Sequence, residues 1–73
     1  MTKKQIRAID SLRRALERCY EAKLEGGVYD GTFCAWPEDA FDPYEAGKRF
    51  FDCVHEHGQM VYSNMKLDGG AGV

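Results

Sequence analysis

The chain has no long run of apolar residues. None of its 73 residues falls in a stretch near the roughly 18 apolar residues that span a membrane. Its start, MTKKQIRAID, also lacks the apolar core of a secretory signal. We therefore expect a cytoplasmic protein.

Cysteines are few and odd in number. The three cysteines, Cys19, Cys34 and Cys53, have a spacing that matches no compact disulfide framework. Reduced thiols are expected.

The chain is also short. At 73 residues there is room for one domain, and a domain near this size buries only about 60% of the surface that its unfolded chain exposes. This argues against a large catalytic cleft, and we expect a protein that is not an enzyme. Residues 1–66 should form the domain, and 67–73 a flexible glycine-rich tail.

Neither sign of charge dominates the whole chain. Residues 1–24 hold seven basic and three acidic side chains, whereas residues 25–57 hold two basic and eight acidic ones. Strong nucleic-acid binding and DNA mimicry each need one sign over a broad surface, so neither is favoured. The molecule should be a dipole.

A first helix is predicted from its capping signal. Thr2 and Gln5 have the spacing of a capping box, and Gly26-Gly27 would end the helix. One face should pack in the core and the opposite face should be basic. The apolar set is Ile6, Ile9, Leu12, Leu16, Cys19, Tyr20 and Leu24, and the basic set is Lys3, Lys4, Arg7, Arg14 and Arg18.

A second helix should begin at Pro43, with Asp42 as its N-cap. Its apolar stripe includes Phe50 and Val54, and Gly47 would allow close packing on the first helix. Gly58 either ends this helix or kinks it. We favour a helix, straight or bent, that continues to about residue 64, because Val61 and Met65 prolong the same apolar stripe.

The aromatic-rich segment 26–44 lies between the two helices. Asp30-Gly31 favours the tight turn of a short β-hairpin, but an irregular loop fits equally well. The expected fold is mainly α: two antiparallel helices flank an irregular aromatic-rich segment, which contains at most a short β-hairpin.

Cys53, His55 and His57 resemble a metal site or a catalytic pair. On a helix only Cys53 and His57 share a face, and structural zinc takes four ligands. No family signature surrounds the pair. We expect a buried thiol beside helix-end histidines, with no metal, cofactor or catalytic residue.

Two sets of side chains are candidates for binding a partner. The arginines of the first helix fit an acidic protein surface or nucleic acid, but acidic neighbours, such as Asp10 beside Arg14, also fit a plain solvated face. Some of the central aromatics should fill the core and others anchor a partner. The residues that we select are Trp36, Phe41, Tyr44, Arg7, Arg14 and Arg18.

Over nearly its full length, the chain resembles the small transcription regulators of lytic Xanthomonas phages. The resemblance covers MTKKQIRAIDSLRRALERCY, then DGTFCAWPEDAFDPYEAGKRFF and the glycine-rich end. It implies a monomer that binds the host RNA polymerase at the N-terminus of the largest subunit, near the RNA exit region. Such a regulator inhibits sigma-dependent promoter initiation and promotes antitermination at intrinsic terminators. A small helical DNA-binding module, or an inhibitor of another host protein, is the alternative.

Overall fold

The structure, a computed structural model, describes residues 1–69. The elements follow the order α1 (Lys3–Glu21), β1 (Leu24–Tyr29), β2 (Thr32–Pro37), α2 (Pro43–Ala46), a 3-10 turn (Gly47–Arg49), α3 (Phe50–His57) and β3 (Gln59–Val61). The strands form one antiparallel sheet in the order β1-β2-β3.

The fold is mixed α/β, so the prediction of a mainly α protein with two flanking helices is wrong. The central segment is a hairpin, in which β1 and β2 pair from Leu24 opposite Pro37 to Tyr29 opposite Thr32. Asp30 and Gly31 form its turn with φ values of 52° and 75°. Positive φ at both central residues matches the twist of antiparallel strands.

Helix α1 begins as predicted but ends early. The Thr2 hydroxyl accepts from the Gln5 backbone N–H at 3.1 Å, and the Gln5 side chain accepts from the Thr2 backbone N–H at 2.8 Å. The helix ends at Glu21, before Lys23 with φ of 61°. Gly26 lies within β1 instead, where a Cβ would come within 2.8 Å of the Phe33 ring. The Cβ would also lie 3.1 Å from the Cys34 carbonyl oxygen, so this glycine gives space within the sheet instead of capping the helix.

The core lies between α3 and one face of the sheet. Four side chains are buried, Cys34 and Trp36 from β2 and Phe50 and Val54 from α3. The Phe50 ring centroid lies 4.0 Å from that of Tyr29 and 5.6 Å from that of Trp36, the latter edge to face. Aromatic residues supply large apolar area, which a domain this small needs.

The second helical region starts where expected but is broken. The Asp42 carboxylate accepts from the backbone N–H groups of Tyr44 and Glu45 at 2.9 and 3.4 Å, which confirms the N-cap. Gly47 has φ of 53° and no atom within 4 Å of a Cβ. It therefore permits the turn between α2 and α3. The predicted packing of α1 on this region is wrong, because α1 contacts only β1 among the elements.

Gly58 ends α3, and the predicted continuation to about residue 64 is wrong. A Cβ on Gly58 would lie 2.1 Å from the Ala35 carbonyl oxygen. The chain passes directly against β2 here and then forms β3, with Met60 opposite Cys34. Val61 therefore lies in β3 and Met65 after it, so neither belongs to a helical stripe.

Helix α1 projects from the rest of the molecule and has no buried residue. The Cα radius of gyration is 13.6 Å and the principal extents are 41 × 26 × 16 Å, whereas a compact domain of this length has a radius of about 11 Å. Within residues 1–69, no helix combines the length and apolarity needed to cross a membrane. The end of the predicted tail, 70–73, lies outside the described residues.

Candidate protein-binding surface

The apolar face of α1, predicted to be core, is exposed. We call its five exposed residues the α1 stripe. Leu12 and Leu16, at its centre, are 50% and 48% exposed. This face was predicted to be buried but is exposed, because the second helical region packs on the sheet and leaves α1 without an opposing helix. The α1 stripe consists of Ile6, Ile9, Leu12, Leu16 and Tyr20.

The sheet also has an uncovered apolar face. Side chains alternate across a strand, so Phe33 and Ala35 point away from the core that Cys34 and Trp36 help to form. Phe33 is paired with Val61 of β3, which is itself exposed. This face is apolar but has no helix lying across it.

The bare sheet face and α1 together form an open groove, which we call the α1–sheet groove. Its volume is about 830 Å³. Leu12 and Leu16 contribute one wall and the sheet contributes the other. The residues after β3 close part of the rim, because Met65 and Leu67 also line the groove. The groove is almost entirely apolar, so an apolar surface of another macromolecule could pack in it.

Trp36, selected as a partner anchor, lies in the core. Its side chain is 2% exposed, and its ring packs against Phe41 at 5.2 Å and Phe50 at 5.6 Å between centroids. The indole N–H has no hydrogen-bond partner in the part of the chain that the structure describes. Trp36 also lines the α1–sheet groove described above, but its buried ring offers a partner almost no surface.

Phe41 and Tyr44, the other aromatic candidates, lie together in a shallow pocket of about 490 Å³. Phe41 is half-buried against the core, whereas Tyr44 is 95% exposed. Three carboxylates share the pocket, from Glu25, Asp39 and Asp42. Its surroundings are thus acidic.

Arg7, Arg14 and Arg18 are exposed on α1, on the side of the helix away from the α1 stripe. The Arg14 guanidinium donates to the Ser11 hydroxyl at 3.2 Å. The expected pair of Asp10 with Arg14 does not form, because Asp10 binds Arg13 at 2.7 Å instead. The structure therefore separates the arginines from the aromatic candidates.

All three cysteines are free thiols. Within residues 1–69, no group of three His, Cys, Asp or Glu side chains is placed to hold a metal. The His57 ring stacks on Phe41 with centroids 6.1 Å apart. Cys34 is buried, and burial raises the pKa of its thiol. This thiol remains protonated beside the Met60 sulfur, 3.5 Å away.

No protein-family model, curated protein or solved structure matches the chain. Within the structure, the exposed apolar area is concentrated on the α1 stripe and in the α1–sheet groove. Sequence reasoning identified the stripe but assigned it to the core, and it missed the groove. Val61 and Met65 could have indicated the groove from the sequence. If they are not part of a helix, these apolar residues must pack against another element or remain exposed.

Proposed function

We propose that the protein is a non-catalytic regulator that docks on bacterial RNA polymerase through the α1 stripe and the α1–sheet groove. The observation that carries the proposal is the exposure of the apolar face of α1 beside a second bare apolar surface. Contiguous exposed apolar surface of this kind is typical of protein interaction sites.

Helix energetics support a docking role for α1. An amphipathic helix is normally stabilised by packing its apolar face, rather than by helix propensity alone. In this protein, α1 has 19 residues and none is buried. A partner that covered Leu12 and Leu16 would remove their exposed apolar area from water, which is the main favourable term in association.

The resemblance to phage transcription regulators supplies the identity of the partner. It implies docking at the N-terminus of the largest polymerase subunit, near the RNA exit region, by a single copy in the host cytoplasm. A specific complex buries about 800 Å² on each partner, which is within reach of a small domain. Binding one polymerase conformation better than the others would shift the enzyme toward that state.

Two outcomes follow for transcription. Stabilising a conformation that disfavours sigma-dependent promoter engagement would inhibit initiation. The same contact near the RNA exit region would promote antitermination at intrinsic terminators. In this proposal Arg7, Arg14 and Arg18 speed the encounter with an acidic polymerase surface, because complementary charge mainly raises association rates.

The proposal is tested by transcription with purified bacterial polymerase on a template that carries a sigma-dependent promoter and an intrinsic terminator. The protein should lower the number of initiated transcripts and raise the fraction that reads through. Leu16→Glu places a charge in the groove and should abolish both effects. Ser11→Glu adds the same charge outside the stripe, beside Arg14, so it should slow association but retain both effects at saturating protein.

A failure of the wild-type protein to change either readout would overturn the polymerase assignment. The alternative of a DNA-binding module makes a different prediction for naked duplex DNA. Binding there would weaken steeply with salt and would depend on Arg14 and Arg18. Retention of both transcription effects in Leu16→Glu would show that the groove is not the docking surface.

A further inference from the structure

We propose that two free copies of this chain pair through their α1 helices in antiparallel orientation, each α1 lying along the α1–sheet groove of the other copy. The dimer does not depend on the proposed polymerase binding. If that binding also holds, the single copy expected from the sequence is the polymerase-bound form, and the dimer is the free form.

The residue spacing on α1 fits a helix–helix seam. Ile9, Leu12, Leu16 and Cys19 follow one another at intervals of three, four and three residues. This is the spacing with which paired helices interlock their apolar side chains. Ile9, Leu12 and Leu16 are exposed and Cys19 is partly exposed, so the whole seam is accessible to a second copy.

The distribution of charge along the length of α1 favours the antiparallel orientation, although these side chains lie off the seam and act at longer range. The first two turns of α1 carry Lys3, Lys4 and Arg7 and no acidic residue. The end of α1 and the start of β1 carry three glutamates, which outnumber Arg18 and Lys23 there. Antiparallel packing places unlike ends side by side, whereas parallel packing would bring the three basic residues of each copy together. The three glutamates are Glu17, Glu21 and Glu25.

The groove adds contact area to the interface, which a single face of α1 would make small. The 19 residues of α1 make a face about 28 Å long, and a stable dimer buries about 800 Å² on each copy. A second α1 in the groove would cover Leu12 and Leu16 and also contact Phe33 and Val61 on the sheet. A two-fold axis then fills both grooves with the same contact, as closed homodimers require.

The monomer has a small core that such pairing would extend. Among residues 1–69 four side chains are buried, and the cysteines are free thiols that form no crosslink. Domains of this size commonly add a disulfide, a metal or a second subunit to a core that is marginal alone. Pairing through α1 gives the unburied helix the packing that its pattern requires.

The orientation is tested by disulfide formation under mild oxidation in a Cys53→Ser background. Antiparallel pairing places residue 9 of one copy beside Cys19 of the other, so Ile9→Cys should form a crosslinked dimer through these two positions. Within one chain they are about 15 Å apart along the helix, which is too far for a disulfide. Ser11→Cys, on the opposite side of α1, is the matched control and should not crosslink efficiently.

Sedimentation measures the dimer without any introduced cysteine. The wild-type mass should rise with concentration from 8.3 kDa to twice that value. Leu16→Glu should raise the dimer dissociation constant at least about tenfold because it buries a charge in an apolar seam, and Ser11→Glu should leave it unchanged. A wild-type chain that remains monomeric at every concentration would overturn the proposal, as would equal crosslinking of Ile9→Cys and Ser11→Cys. A dominant link between the two copies of Cys19 would instead indicate parallel helices and refute the antiparallel arrangement.

Discussion

Replacing Gly58 by alanine should change the stability of the protein in opposite directions for the predicted helix and for the observed fold. If Gly58 lay inside a continuous helix, Gly58→Ala would stabilise the protein by about 1 kcal/mol, because alanine is the better helix former. In the structure, the added Cβ would lie 2.1 Å from the Ala35 carbonyl oxygen and 2.9 Å from Trp36 Cα and Cβ. The substitution should therefore destabilise.

The magnitude follows from which atoms block the new methyl group. The carbonyl oxygen and Trp36 Cα belong to the β2 backbone, which cannot rotate away as a flexible side chain would. Relief requires a shift of about 1 Å between Gly58 and β2, and overpacking of this kind costs about 1–3 kcal/mol. The shift also disturbs the pairing of Met60 with Cys34, so we expect a loss near the upper end, about 3 kcal/mol. That is a large part of the roughly 4–11 kcal/mol expected for a chain of this length.

The assay is urea unfolding followed by circular dichroism and by Trp36 fluorescence. Gly47→Ala is the comparison, because a Cβ there meets no atom within 4 Å and only the backbone conformation, φ 53° and ψ −123°, opposes it; such a conformation costs a non-glycine residue about 1–3 kcal/mol. Both variants should therefore lose stability, Gly58→Ala through the contact with β2. A gain of stability in Gly58→Ala would refute the close approach to β2 and restore the continuous helix.

Four further substitutions test other parts of the fold by urea unfolding. Phe50→Ala should lower the free energy of unfolding by about 3–5 kcal/mol because it leaves a cavity in the core. Leu16→Ala, measured at low protein concentration, should lower it by less than about 1 kcal/mol because Leu16 is half exposed. Equal losses in the two variants would contradict the exposure of the α1 stripe. Thr2→Ala should lower it by about 0.5–2 kcal/mol by removing the helix cap, and no change would show that α1 frays without affecting the fold. Burial raises the pKa of the Cys34 thiol above its ordinary value of 9.0, so the thiol's contribution to stability is present below pH 9.0 and is lost as the pH rises above that value. Cys34→Ala should flatten the dependence of stability on pH in this range. An unchanged slope would contradict the burial of this thiol as its cause.

Local signals in the sequence predicted the starts of helices well. The capping box at Thr2 and the N-cap at Asp42 both form, because each depends on hydrogen bonds within three residues. Asp30-Gly31 likewise marked a turn whose geometry is local. The hairpin remained an alternative to a loop, since its strands are stabilised by packing on α3, which the sequence alone did not reveal.

Contacts between distant residues account for the errors. The role of Gly58 depends on the backbone of Ala35, more than twenty residues away, and a helical period through Val61 hid that contact. Gly26 was taken as a helix end, although its function is to admit the Phe33 ring. An amphipathic pattern also predicts which face of α1 is apolar without showing whether anything in the same chain covers it.

The candidate site was predicted only in part for the same reason. The partner-binding residues were chosen by side-chain type, and the structure distributes them among the core, the acidic pocket and the outer side of α1. Trp36 is the largest aromatic and the natural choice for an anchor, yet it fills the space between β2 and Phe50. The α1–sheet groove arises from the sheet, so a prediction of two packed helices had no place for it.

The most direct test of the central claim is the affinity of the purified protein for purified bacterial RNA polymerase, measured at a fixed salt concentration and below the concentration at which free copies pair. The account predicts saturable binding that Leu16→Glu weakens at least about tenfold, since a charge would be placed in an apolar interface. Ser11→Glu places the same charge beside Arg14, so it should mainly slow association and lose much less affinity. Equal affinities for the two variants, or no binding by the wild-type protein, would contradict it.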